Sequence, residues 1–222
     1  MNRFFNAVQC LAAAALLCAS AATAEPPHNK TDSAWVRPRL VGTASDSGGF
    51  SLDKSKLRAL FPEFEWTADQ LAYLDEHLKL GDSRAAIVAS VKPLVVSAYS
   101  DELDAVILVQ FPDELVSQYA LDVGDQLIAS WTYPRSAQPP ADIVQGDRNL
   151  KRHNNGAPLI ADFFSDSVDK IKKRKQGVSQ AEWQRVRKLT RVALIWADGK
   201  YRSSFPLNAG RPPQFLDESS VE

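Results

Sequence analysis

Asp101, Glu102 and Asp104 crowd one short stretch of this chain, directly after Tyr99 and Ser100. Carboxylates that close can divide acid and base roles when burial or a neighbouring charge separates their pKa values. These three are therefore the candidate catalytic groups, and the chemistry they suit is that of a small hydrolase or isomerase. The competing expectation is a solvated turn, because Asp and Ser between two apolar runs are turn formers. The pairs Glu63/Glu65 and Asp113/Glu114 carry less, since neither sits beside a hydroxyl-bearing side chain at the tip of a strand pair.

Other chemistry is thinly represented. The three histidines, His28, His77 and His153, are far apart, with no pair at metal-ligand spacing. His77 falls on an expected helix, where a surface or satisfied residue is the ordinary outcome; His153 stands among basic neighbours in Arg148-Asn-Leu-Lys-Arg-His-Asn-Asn-Gly156. Neither a phosphate-binding loop of the Walker type nor a GxGxxG pattern occurs, and the spacing of a calcium loop is missing. No metal and no cofactor is expected. Ser45-Asp46-Ser47-Gly48-Gly49 resembles the sequence around the nucleophile of trypsin-like proteases, but those enzymes need a base and an orienting Asp earlier in the chain, and only His28 precedes Ser47. A flexible loop is the reading adopted there.

Charge is the most informative property. The chain is close to neutral, with a formal net charge of −1, yet residues 25–147 carry 10 Lys/Arg against 19 Asp/Glu, whereas residues 148–191 carry 12 against 4. A concentrated basic segment is suited to phosphate or carboxylate groups on a polyanion or an anionic surface. Its candidate anion-binding residues are Arg148, Lys151, Arg152, Lys172, Lys173, Arg174, Lys175, Arg187 and Lys188. Trp183 is the one aromatic among the basic clusters, so base stacking and sequence-specific nucleic-acid readout are not expected. The competing expectation is a solvated helical face, or one paired with the chain's own acidic half.

The first residues read as a targeting segment. Arg3, the apolar run Val8 to Leu17 and the small residues Ala22-Thr23-Ala24 follow the secretory pattern, with cleavage expected after Ala24. The run is shorter than the about 20 residues a spanning helix needs, so the mature chain is expected to be exported to a periplasm or exterior without a transmembrane helix. Cys18 lacks the small residue that lipoprotein processing prefers just before it. Cys10 and Cys18 both fall in the segment, so the mature chain would have neither disulfide nor thiolate chemistry. Oligomeric state is left open by the sequence.

The elements that must position these groups follow from pattern. Leu94–Tyr99 and Ala105–Phe111 are β-branched and apolar around the polar stretch 100–104, which predicts two adjacent antiparallel strands; apolar residues at both parities of the second predict cover on both faces. An edge strand is expected at Trp35–Thr43, a helix at Asp53–Phe61 capped by Ser51, and a helix opened by a Thr67/Gln70 capping box and stopped at Gly81. Further strands are expected at 85–91 and 127–133, a short helix after Pro112, a helix over Pro158–Lys175 and one from Ser179 to about Lys188. Asp198-Gly199 predicts a two-residue hairpin turn between strands 189–196 and 201–205. The whole is an α+β fold, a mainly antiparallel sheet with helices packed on it, forming a single domain. Its expected bounds are a leader over 25–34, a domain over 35–206 containing a long loop at 134–157, and a surface tail over 207–222. The leading functional expectation is a non-catalytic module that binds an anionic partner through residues 148–191.

Overall fold

The computed structural model describes residues 47–133, 140–143 and 145–204. The expected signal segment, the leader, the strand at Trp35–Thr43, the start of the Ser45–Gly49 loop, residues 134–139 and 144 of the long loop, and the tail lie outside the described residues.

Two helices come first, α1 (Lys54–Leu60) and α2 (Ala68–Leu80). Asp53, not Ser51, caps α1, its carboxylate accepting the amides of Ser55 and Lys56. The α2 start is the predicted capping box: Thr67 accepts from the Gln70 amide and the Gln70 side chain from the Thr67 amide. Three strands follow, β1 (Asp82–Val91), β2 (Leu94–Ser100) and β3 (Ala105–Phe111), with β1 longer than its apolar run suggested. The short helix α3 (Glu114–Tyr119) leads into β4 (Gln126–Thr132).

Beyond the long loop, β5 (Ala157–Ile160) is followed by α4 (Ala161–Phe164), α5 (Val168–Gly177) and α6 (Gln180–Ala197), then the two-residue β6 (Arg202–Ser203). The single helix expected over Pro158–Lys175 is thus a strand and two helices, broken at Ser165-Asp166-Ser167, where the Ser165 hydroxyl donates to the Ser51 carbonyl and also accepts the Ser167 amide.

The C-terminal segment is not the expected hairpin. Residues 189–196 are not a strand but the second half of α6. Asp198 and Gly199 do adopt the left-handed conformation that the sequence signalled, at φ 47 and 75, but they end a helix instead of closing a hairpin. Trp183, Val186 and Thr190 recur at helical spacing and are buried, with Leu189 and Ala193 packed on the core beside them. The β-branched residues in this stretch fit a helix once the sheet offers that face something to cover.

The sheet is curled and mostly antiparallel, in the order β5-β4-β1-β2-β3-β6; among the described residues only the β3–β6 contact is parallel. In the central pair Leu94 faces Phe111, Ala98 faces Ile107 and Ser100 faces Ala105. Every residue of β2 is buried, and in β3 only Gln110 is exposed. That is the two-sided cover predicted for a strand apolar at both parities. Helix α6 lies against β1, β2 and β3, while α2, α4 and α5 contact β4. The Thr190 and Ser97 hydroxyls share a 2.7 Å hydrogen bond, joining α6 to β2 through the interior.

Candidate functional site

The turn between β2 and β3 is not a solvated tip. Glu102, Leu103 and Asp104 are buried, Asp104 completely. The reason is tertiary: α6 and the 146–150 segment close over it. The Gly146 amide donates to the Asp104 carbonyl at 2.8 Å, and the Leu150 amide donates to that of Glu102. A side chain at Gly146 would run into Asp104 Oδ2 and the Arg185 guanidinium, so only glycine permits this approach.

Asp104 itself is held by four donors. Arg185 binds both carboxylate oxygens, the Arg148 amide donates to Oδ2 at 2.8 Å and the Tyr99 hydroxyl to Oδ1 at 3.2 Å. Burial alone would raise its pKa, but Arg185 and the amide outweigh burial and hold the carboxyl below its ordinary range. Arg185 also reaches Asp147, at 2.6 Å. Such a carboxylate is a fastener, with its lone pairs already committed. Glu102 pairs with Arg152 at 3.3 Å through one oxygen, and its other oxygen is buried without a hydrogen-bond partner among the described residues.

The group with the most unusual environment is one that no sequence motif marked. Asp82 opens β1, and its side chain is 3% exposed. Arg84 stands between it and Asp101, with Nε 3.0 Å from Asp82 Oδ2 and a terminal nitrogen 2.7 Å from Asp101 Oδ2. One guanidinium cannot balance two carboxylates. Asp101 is 38% exposed, whereas burial pushes the pKa of the deeper Asp82 up to about 7 despite the nearby cation. The Tyr133 hydroxyl donates to Asp82 Oδ2 at 3.1 Å and shares a 2.9 Å hydrogen bond with Ser100 Oγ. Burial, then the Asp82 charge, raises the Tyr133 pKa, so this phenol is a donor throughout the accessible pH range. The His153 ring stacks on Tyr133 with centroids 4.7 Å apart. The Asp82-x-Arg84 spacing, two residues on one side of a strand, was the available signal. Its link to Asp101 and Tyr133 depends on sheet pairing and could not be read.

The basic segment divides. Arg174 turns inward, its guanidinium donating to the hydroxyl and carbonyl of Ser83. Lys175 pairs with Asp162 at 2.6 Å, and Arg152 with Glu102. The Arg148 amide serves Asp104, while residues 148 and 151 are exposed. Lys172 and Lys173 on α5 and Lys188 on α6 are exposed, and Arg187 is half-buried. Charge that looks uniform along the chain is therefore partly consumed by the acidic half.

Lys172 and Lys175 nonetheless share a cleft. A depression of 290 Å³ is lined by Lys56, Tyr119, Asp162, Ser165, Val168, Ile171, Lys172 and Lys175. Lys56 arrives from α1, with its ammonium 2.7 Å from the Ser165 carbonyl and 3.4 Å from that of Asp162, and 5.8 Å from the centre of the Tyr119 ring. Asp162 is occupied twice, by Lys175 on Oδ1 and by the Ile128 amide on Oδ2. The cleft thus gathers three ammonium groups around one carboxylate, with Lys56 held by neutral carbonyls. Burial, then the charge of Asp162, raises the Tyr119 pKa, leaving its hydroxyl a donor. Lys56 lies more than a hundred residues from Lys172, and no local pattern marked it.

Among the described residues no helix is long and apolar enough to cross a membrane, and no cluster of His, Cys, Asp and Glu is arranged to hold a metal ion. Compared with known protein families, curated proteins and solved structures, the chain matches none.

Proposed function

We propose that this protein is a non-catalytic binding module for an anionic ligand, and that the ligand's phosphate or carboxylate group sits in the Lys56–Lys172–Lys175 cleft. The observation that carries the reading is the three-to-one excess of ammonium groups over carboxylates in that depression. Two of the lysines belong to the basic segment and the third comes from α1. The apolar lining from Val168 and Ile171 suits a ligand with a hydrocarbon part next to its charge. Titration calorimetry at low salt with inorganic phosphate and with citrate tests it. Lys56→Gln and Lys172→Gln are each expected to weaken binding roughly tenfold or more, as loss of a charged hydrogen bond does, and added salt to weaken it further. Equal affinity in wild type and the double variant refutes the assignment.

A second reading, a small hydrolase or isomerase acting through carboxylates at the 100–104 turn, draws support from Asp82. It brings a carboxyl raised to about 7 into the Arg84 pair with Asp101, and a group poised near neutrality is suited to proton transfer. This reading needs turnover of some carbonyl or ester substrate that rises or falls near pH 7 and disappears in Asp82→Asn. A screen of chromogenic esters in which hydrolysis is absent, or indifferent to that substitution, removes it.

A further inference from the structure

The outer face of α6 carries an apolar trio that the core does not use. Trp183, Val186 and Thr190 are the buried positions of this helix. On the opposite side Val192, Ile195 and Trp196 are 39%, 80% and 72% exposed. Ile195 and Trp196 follow Val192 by three and four residues, so the three form one patch across the last turns. One turn before it on the same side stand Lys188, four residues before Val192, and Arg191, four before Ile195; both are exposed. From Trp183 to Ala197 the helix contains no Asp or Glu, while Lys200 lies just past its end, beyond the exposed Asp198.

Exposed Trp and Ile are costly in water, and a contiguous patch of them marks a contact surface. The three side chains offer on the order of 400 Å² of exposed apolar surface, close to the roughly 450–500 Å² apolar share of the ~800 Å² per partner that a stable protein dimer buries, so area alone does not select the partner; the flanking charge does. An indole beside an aliphatic side chain, with cations one turn away, has the composition of interfacial helices: the ring enters the headgroup layer while lysine and arginine meet lipid phosphates. We propose that the C-terminal half of α6 docks this protein on an anionic phospholipid surface, with Trp196 and Ile195 as anchors and Lys188 and Arg191 as the charge contacts. Helix α6 contributes no residue to the Lys56 cleft, so this docking stands or falls independently of ligand binding there.

The test is sedimentation of the full chain with vesicles of phosphatidylcholine alone or mixed with phosphatidylglycerol, together with fluorescence quenching by brominated phosphatidylcholine. Wild type is expected to bind the anionic vesicles preferentially. Lys188→Gln with Arg191→Gln should weaken binding about 30-fold, at about fivefold per charge near the surface. Trp196→Ala should weaken it roughly tenfold to a hundredfold. In Trp196→Phe, vesicle binding should persist while bromolipid quenching falls, which places that indole in the bilayer interface. Equal binding to both vesicle types overturns the proposal. So does binding that ignores Trp196→Ala and Ile195→Ser, since it must then arise elsewhere, as from the apolar run Val8 to Leu17. A concentration-dependent dimer in light scattering that Trp196→Ala abolishes also overturns it, because a second copy would then cover the patch.

Discussion

Replacing Asp82 with Asn decides whether desolvation or ion pairing governs the buried carboxylates. If Arg84 dominated, Asp82 would be ionised well below its ordinary range and the protein would lose stability in acid. The structure argues the reverse: Arg84 is shared with Asp101, Asp82 Oδ1 has no hydrogen-bond partner among the described residues, and the pKa lies at about 7 against an ordinary 3.8. The folded protein then binds a proton that the unfolded chain has released. Its contribution is fully present below pH 3.8 and is lost as pH rises through about 7. Each pH unit within that window costs about 1.4 kcal/mol, so the swing reaches at most about 4 kcal/mol, less where water enters beside Asp101. The amide that Asp82→Asn introduces cannot titrate, so the stability of this variant relative to wild type should climb with pH by up to that amount. Urea unfolding followed by circular dichroism, in steps from about pH 4 to about pH 8, measures it. The constant part of the difference reports the lost Arg84 contact; the slope reports the proton. A flat difference, or a variant that loses ground to wild type as pH rises, refutes the argument.

His77 supplies the opposing slope. Burial lowers its pKa to about 4, with Nε2 2.9 Å from the Ser130 carbonyl. The unfolded chain therefore binds a proton between pH 6.5 and about 4 that the native protein refuses. About 3 kcal/mol of stability should vanish on acidification through that window, and His77→Gln should remove the effect in the same urea series. Arg185→Ala should destabilise the fold by about 3–5 kcal/mol in urea midpoint measurements, because it strands the fully buried Asp104 charge. Arg185→Lys should recover only part of that, lacking the two-pronged geometry. Thr67→Ala should cost about 1 kcal/mol by thermal melting, through loss of the α2 cap; a larger loss would mean that Thr67 does more than cap.

Local chemistry was legible wherever neighbours in sequence are neighbours in space. The Thr67 capping box, the stop at Gly81, the β2–β3 pair and its cover on both faces depend on contacts a few residues apart or on the period of one strand. The left-handed pair Asp198-Gly199 was also legible as a conformation. Its consequence was not, because the same two residues can close a hairpin or cap a helix, and the choice depends on which face of residues 189–196 the sheet covers. Basic charge in 148–191 was countable, but its use was not. Arg174 goes to Ser83, Lys175 to Asp162 and Arg185 to Asp104, partners that sit on other elements.

The two candidate sites follow the same division. Which residue types were available could be read straight from the chain: clustered acids at 101–104, clustered bases after 148, no cysteine beyond position 18. Folding in three dimensions made Asp104 a fastener, raised the pKa of Asp82 to about 7, and brought Lys56 to Lys172 and Lys175 across more than a hundred residues. A pKa depends on burial and on charges within a few ångströms, and a cleft depends on which elements meet. Neither quantity is a property of a short stretch of chain.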